Sequence, residues 1–231
     1  MSQIQTVLRK LRDTKEAEIL EEMEAAFKNV TLKQAIWYRK SEFTCPKACG
    51  ECCRNFEPDL LECEALYMAA WLMENKPEVA AAVAEGNFPF PKNKGCRFWD
   101  ENNPYHCTIY GGRAFICRLF GACGNKSKNN KVVFKPCKFY PEQALASFKV
   151  PLAHRQYEEQ EIQEIFGTLP PVMSNLMEAA VSISPDNHDT QLIHDILPDT
   201  IRKLQWICNM NDDDNDNDTN NGGDQPEPLA S

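Results

Sequence analysis

A chain of 231 residues with a formal charge of −9 is long enough for one domain with a real core and short for two. With 42% hydrophobic residues and a mean hydropathy of −0.51, it has no stretch near the ~18–20 apolar residues that a membrane span needs, so a spanning helix is excluded. The opening residues reach Lys10, Arg12 and Asp13 without a continuous apolar run, so no secretory signal is expected and the cytoplasm is the expected location.

From Ile4 to about Lys28 the apolar residues Ile4, Val7, Leu8, Leu11, Ile19, Leu20, Met23 and Phe27 recur at steps of three and four, which predicts an amphipathic helix. A second, short helix is expected from Thr31 to Lys40. Residues 1–40 are thus read as an N-terminal helical segment that packs on its own domain. Asp59 with Glu62 three positions on resembles a capping box, and Leu60, Leu61, Leu66, Met68, Ala69, Trp71 and Leu72 supply the buried side of the helix it opens. Cys63 lies inside that helix without a neighbouring thiol and reads as a small buried hydrophobe. Pro77 at a first-turn position and Gly86 just past the end frame another helix, Glu78 to Glu85.

Between Asn87 and Pro141, proline and glycine interrupt any long periodicity, so loop and short strands are expected. Lys131-Val132-Val133-Phe134 after Asn129-Asn130 looks like one arm of a β-hairpin. Its lysines, from Lys126 to Lys138, read as a solvated turn. Helical periodicity returns in His154 to Phe166, Val172 to Val181 and Thr190 to Cys208, where Pro198 is expected to kink or split the helix, with Asp199 capping the second half.

From Asn209 onward there are six Asp and one Glu without a Lys or Arg, so seven of the nine net negative charges lie there. Residues 209–231 are expected to be a disordered acidic tail. Its alternating Asp residues lack the Gly and closing Glu of a calcium loop. The remaining body is close to neutral, which argues against nucleic acid as a partner.

The chain is organised around its cysteines, of which it has eleven. Cys45, Cys49, Cys52 and Cys53 fall within nine positions, too close to be independent core fillers. Cys96, Cys107, Cys117 and Cys123 follow at intervals of about ten residues, joined by Pro-, Gly- and Asn-rich connections that can fold back onto one point. In a reducing compartment disulfides do not persist, so clustered thiols point to a metal. Thiolates are soft anionic donors for zinc and iron, and close spacing lets several reach one ion. Cys52 and Cys53 are adjacent and point in different directions, so one of them serves a second ion or remains free. The spacing of the first three cysteines is similar to that of radical S-adenosylmethionine enzymes. Glu51 stands where that family has an aromatic, however, and the strand–helix alternation of a barrel is missing.

Four blocks, Cys45-x3-Cys49-Gly50-x-Cys52-Cys53, Cys96-Arg97-Phe98-Trp99, Cys107-Thr108-Ile109-Tyr110 and Arg113-x3-Cys117-Arg118, resemble the YkgJ-like cysteine-cluster family over roughly Cys45 to Asn125. Glu62 and Glu64, in the helix after the paired cysteines, belong to the same resemblance. Ala114 stands where the family has Pro. The resemblance implies chelation of zinc or iron by eight cysteines, here Cys45, Cys49, Cys52, Cys53, Cys96, Cys107, Cys117 and Cys123. Cys137 is the reserve for the eighth, and His106 is an alternative nitrogen ligand. The expected cofactor is an iron–sulfur cluster or zinc.

Arg113 and Arg118 are placed to offset thiolate charge, and Phe98, Trp99, Tyr110, Phe115 and Phe120 to shield the metal. The domain is also similar to part of the flagellin lysine N-methylases, which implies an S-adenosylmethionine-using enzyme acting on a protein lysine. No Gly-rich methyltransferase loop after a strand is visible. A redox sensor using Cys52 and Cys53 ranks lower, because a bridge between adjacent cysteines closes a strained ring. The expected fold is mainly α, with an irregular cysteine-rich centre and a small β-hairpin. Residues 41–208 are read as one metal-stapled domain with flanking helices. The expected partners are the metal and a protein, without nucleic acid or membrane.

Overall fold

The structure, a computed structural model, describes residues 2–45, 49–90, 95–183 and 189–218, with side chains to residue 211. The chain begins with α1 (Gln5–Lys10) and α2 (Lys15–Ser41). Sequence periodicity predicted one helix from Ile4 to Lys28, but a turn intervenes, with Asp13 left-handed at φ 63°. Thr14 then caps α2, its hydroxyl accepting the Ala17 N–H at 3.2 Å, which satisfies a backbone donor of the first turn. No Gly or Pro interrupts Lys15 to Ser41, so α2 absorbs the expected second helix and spans ~40 Å at 1.5 Å per residue.

Next come α3 (Glu51–Arg54), β1 (Asp59–Leu60), α4 (Glu62–Asn75) and α5 (Pro77–Ala84). Every residue of α4 from Cys63 to Leu72 is buried. A helix apolar on all sides belongs at the centre of a bundle, and α4 is packed by α1, α2, α5, α9 (Met173–Ile183) and α10 (Ile193–Asp218). Its start lies at Leu61 rather than Asp59. Asp59 belongs to β1, and the Glu64 carboxylate accepts the Leu61 N–H at 3.0 Å.

The irregular middle contains α6 (Phe115–Leu119), β2 (Asn125–Lys126) and β3 (Val132–Phe134). The expected hairpin forms as β2–β3, with Asn130 left-handed in its turn. A strand that the sequence did not announce, β4 (Tyr157–Glu158), adds to β3 and makes a three-stranded antiparallel sheet. Two short helices, α7 (Glu142–Ala146) and α8 (Glu159–Phe166), lie on either side of β4 in the chain. The helix expected from His154 therefore begins at Glu159.

A last strand, β5 (Gln191–Leu192), pairs antiparallel with β1, Asp59 opposite Leu192. Pro198 does not split α10. Leu197, Ile201 and Leu204 are fully buried around it, and this packing along α4 carries the helix through the N–H that proline lacks. The backbone of α10 continues into the acidic segment as far as Asp218. Residues 219–231 lie outside the described residues. Among the described residues no helix is long and apolar enough to cross a membrane.

Two cores result. The larger joins α1, α2, α4, α5, α9 and α10. The smaller gathers Trp37, Phe43, Phe134, Leu145, Leu152, Tyr157, Ile162 and Phe166 around the three-stranded sheet. Helix α2 serves both, with Leu20 to Val30 in the first and Trp37 in the second. Cys96 and Cys123 are buried in the larger core, and Cys53, Cys107 and Cys117 pack against it.

Candidate metal centre

The paired cysteines sit on α3, whose four residues leave Cys52 and Cys53 with their sulfurs 3.7 Å apart. Gly95 brings the next cysteine to them. Its φ is 89°, and a Cβ there would lie 2.2 Å from the Arg54 carbonyl oxygen, so only glycine permits the approach. The Cys96 N–H then donates to the Cys53 carbonyl at 3.1 Å. A tight hairpin-like turn follows, with Trp99 bridged antiparallel to Cys107 and the Thr108 N–H donating to the Phe98 carbonyl at 3.0 Å. This folds Cys107 back beside Cys96.

Cys117 arrives on α6, whose position is fixed from below by α4. Glu64 accepts the Phe115 N–H at 2.7 Å through its second carboxylate oxygen, so one buried carboxylate holds the starts of both helices. Burial pushes the Glu64 carboxyl above its ordinary range against the pull of these two N–H groups and of Arg118.

These elements enclose a cavity of about 60 Å³ walled by six of the eight predicted cysteines: Cys49, Cys52, Cys53, Cys96, Cys107 and Cys117. Met68 and Ile109 form apolar wall, Ile193 at the start of α10 completes it, and Tyr105 and Tyr110 stand at the edge. Arg113 is the cation in this lining. Its guanidinium lies 3.4 Å from the centre of the Tyr110 ring, and its Nε donates to the Tyr110 carbonyl at 2.9 Å. Arg118 turns away from the opening, over the Phe27 ring at 3.8 Å, and donates to the Arg113 and Gly111 carbonyls. Burial lowers its pKa to about 10.

The thiols are electrostatically linked. Burial, then the neighbouring Cys96 and Cys107, push Cys117 up. Burial also raises Cys107, against the attraction of Arg113. Cys53 is raised first by its hydrogen bond with Cys52, and the same bond draws Cys52 down to about 7. As they stand, no three His, Cys, Asp or Glu side chains among the described residues are arranged to hold a metal ion. The fit lies in the donor set: six soft sulfurs around one small cavity, faced by one cation.

His106 is not in the cavity wall. Its ring stacks on Trp99, its Nδ1 lies 3.0 Å from the Asp100 carbonyl, and its backbone is left-handed at φ 56°. It shapes the turn instead. Trp99 donates its indole N–H to the Gly50 carbonyl at 3.1 Å, which ties that turn to α3. Phe98, Trp99 and Phe115 are buried, whereas Tyr110 and Phe120 are exposed; of these five, Tyr110 is the one that borders the cavity.

Cys45 and Cys123 are not part of the cavity wall. Cys45 is exposed, and its thiol is raised to about 11, first by burial and then by the charges of Cys49 and Cys137. Cys123 is buried beside Gln34 of α2, whose amide nitrogen lies 3.9 Å from its sulfur. Gln34 gave no signal in the sequence. Neither did Glu64 as the link to α6, because its partner Phe115 is 51 residues away in the chain. Cys63 and Cys208 are buried in the helical core, as expected of thiols outside the cluster.

Fold and site together define a mainly helical, cysteine-rich domain of the metal-chelating class. The chain belongs to the CxxCxxCC family, described as a "putative zinc- or iron-chelating domain", which matches residues 44–165, more than half of its length. The matched span begins just before Cys45 and ends in α8, so it includes Cys137 as well as the eight predicted ligands. Comparison with curated proteins gave no match, and comparison with solved structures gave none.

Proposed function

We propose that this protein is a cytoplasmic metalloprotein whose six-thiol cavity holds a polynuclear centre, an iron–sulfur cluster or zinc ions sharing thiolates. The observation that carries this reading is the convergence of Cys49, Cys52, Cys53, Cys96, Cys107 and Cys117 on one space of about 60 Å³. A single tetrahedral zinc takes four ligands, so six sulfurs around one cavity favour more than one metal atom. Such a centre supplies either a redox-active cluster or a structural staple. The chain's own residues bind it and exclude water. Cys52 and Cys53 meet it from α3, Cys96 and Cys107 from the folded turn, and Cys117 from α6. Arg113 offsets part of the thiolate charge, and Met68, Ile109 and Ile193 keep one side dry.

The size of this cavity favours a metal centre over an S-adenosylmethionine site, since pockets for small organic ligands run to roughly 300–1,000 Å³. A larger open groove of about 1,030 Å³ lies along the β2–β3 hairpin and α8. There Lys126, Lys128 and Lys131 line the groove together with Glu158 and Glu159, a net of one positive charge, which is a weak basis for holding an anionic substrate.

The test is zinc, iron and acid-labile sulfide per chain in protein purified without oxygen, for the wild type and for Cys117→Ser. Metal in the first that falls in the second is the expected result. Wild-type protein that carries neither zinc nor iron overturns the proposal.

A further inference from the structure

Helix α2 carries apolar residues on two faces. Met23, Phe27, Val30, Gln34 and Trp37 are buried against the domain. On the outer side Leu32 is 58% exposed and Ile36, one turn further on, 47%. Single exposed apolar residues are ordinary, but these two belong to a continuous ridge. Glu21, Ala25, Lys28, Leu32, Ala35 and Arg39 are all exposed. They recur at alternating steps of four and three residues, so they form one row along the helix. The row runs ~27 Å at 1.5 Å per residue.

Charge along α2 divides near the middle of this row. Five Glu fall between Glu16 and Glu24, whereas Ala25 to Ser41 contains Lys28, Lys33, Arg39 and Lys40 and no acid. The helix dipole favours that polarity only within the first and last turns. It therefore accounts for Glu16 and Glu18 at one end and for Arg39 and Lys40 at the other, but not for Glu21, Glu22, Lys28 or Lys33. The spacing has a symmetry of its own. Turned end for end, the row falls on itself about a centre level with Val30. A second α2 laid antiparallel over it puts Glu21 opposite Arg39, Ala25 opposite Ala35 and Lys28 opposite Leu32, and each contact is made twice. The alanines let the two helices come close. The Lys28 stem covers Leu32 while its ammonium stays in water, and the acidic half of each helix lies along the basic half of the other.

We propose that this ridge is the contact surface for a second copy of the chain, in a two-fold dimer joined by antiparallel α2 helices. This goes beyond the metal-binding reading and does not depend on it. A two-fold contact requires a surface complementary to itself, and the division of charge and the palindromic spacing of this ridge meet that requirement together. The row is short and partly polar, which places the interface in the small, transient class. Dimers are expected at micromolar concentration and above, and salt is expected to weaken them because exposed charges are screened.

The test is sedimentation equilibrium of the full chain, purified without oxygen and held in a reductant so that no intermolecular disulfide contributes, from micromolar to near-millimolar concentration. The wild type is expected to pass from monomer to dimer. Leu32→Glu sets a charge in the seam and is expected to abolish the dimer over that range, while the urea unfolding curve stays in place because Leu32 is exposed. Glu21→Lys and Arg39→Glu each bring like charges together at both ends of the seam, and each is expected to raise the dissociation constant about ten-fold. The double variant Glu21→Lys/Arg39→Glu restores the pairs with their signs exchanged and is expected to return to within about three-fold of the wild type. A wild type that is monomeric at every concentration overturns the proposal and leaves the face to a different protein. A dimer indifferent to Leu32→Glu overturns it by placing the contact elsewhere, and a double variant no tighter than the single ones overturns the antiparallel pairing.

Discussion

Helix α4 and the segment from Gly95 to Gly124 lie against each other but are held by different forces. In α4, ten consecutive residues from Cys63 to Leu72 are buried, and apolar contact on every side makes the helix insensitive to the detail of any one neighbour. The 95–124 segment has only a one-turn 3-10 helix and the five-residue α6 as regular structure. Its shape depends on single contacts: Gly95 under the Arg54 carbonyl, Glu64 on the Phe115 N–H, Trp99 on Gly50. The first region is a scaffold stabilised by area, and the second carries cavity-lining cysteines and is held by a few directed bonds.

The largest effect is expected in the scaffold. Leu72→Ala removes a fully buried side chain and is expected to cost about 2–5 kcal/mol, read by urea unfolding. If area is what holds this region, metal content per folded chain stays unchanged. Loss of metal before loss of stability would break the distinction between the two regions.

Gly95→Ala makes the opposite cut. The new Cβ would meet the Arg54 carbonyl in a left-handed backbone, a strain of roughly 1–3 kcal/mol. It also pushes Cys96 from Cys53, so metal content is expected to fall out of proportion to stability. Metal analysis beside a thermal melt checks this, and undiminished metal would show that the close approach is unnecessary.

Glu64→Gln sharpens the comparison where the two regions join. One of the Leu61 and Phe115 N–H groups then faces an amide NH₂ instead of a carboxylate oxygen, at about 1–3 kcal/mol. The pH dependence has a definite sign. Burial holds the Glu64 carboxyl above its ordinary value in the folded protein, so the folded state keeps a proton that the unfolded chain gives up. The stability this contributes is full below the unfolded value near about 4.3 and is lost as pH rises through the folded one. The deficit of Glu64→Gln relative to wild type should therefore narrow with rising pH in melts across the acid to neutral range. Parallel curves would mean that Glu64 does not titrate as the structure requires.

Trp206→Ser should do least. Trp206 on α10 is 64% exposed, so a change within about 0.5 kcal/mol is expected. A larger loss would place part of the scaffold's stability on its outer surface.

Much of the scaffold was legible because it follows local rules. Pro77 and Gly86 frame α5 as expected, with Gly86 left-handed at φ 82°. The break at Asp13 and Thr14 was hidden, because the apolar steps on either side stay in phase and only Thr14's cap reveals it. Pro198 misled for the converse reason: its cost is local, while the packing of Leu197, Ile201 and Leu204 that outweighs it is tertiary. In the site, the four cysteine blocks announced the six sulfurs that wall the cavity. The blocks do not say which thiols share a centre. The contacts that hold the blocks together, Glu64 on the Phe115 N–H and the Trp99 indole on the Gly50 carbonyl, join residues 51 and 49 positions apart and leave no local pattern.

X-ray absorption at the zinc and iron edges, on protein purified without oxygen, tests the central claim most directly. The account predicts a first shell made of sulfur at about 2.3 Å. A first shell dominated by nitrogen or oxygen near 2.0–2.2 Å would contradict it, because it would place the metal away from the thiols of α3, α6 and the Cys96–Cys107 turn.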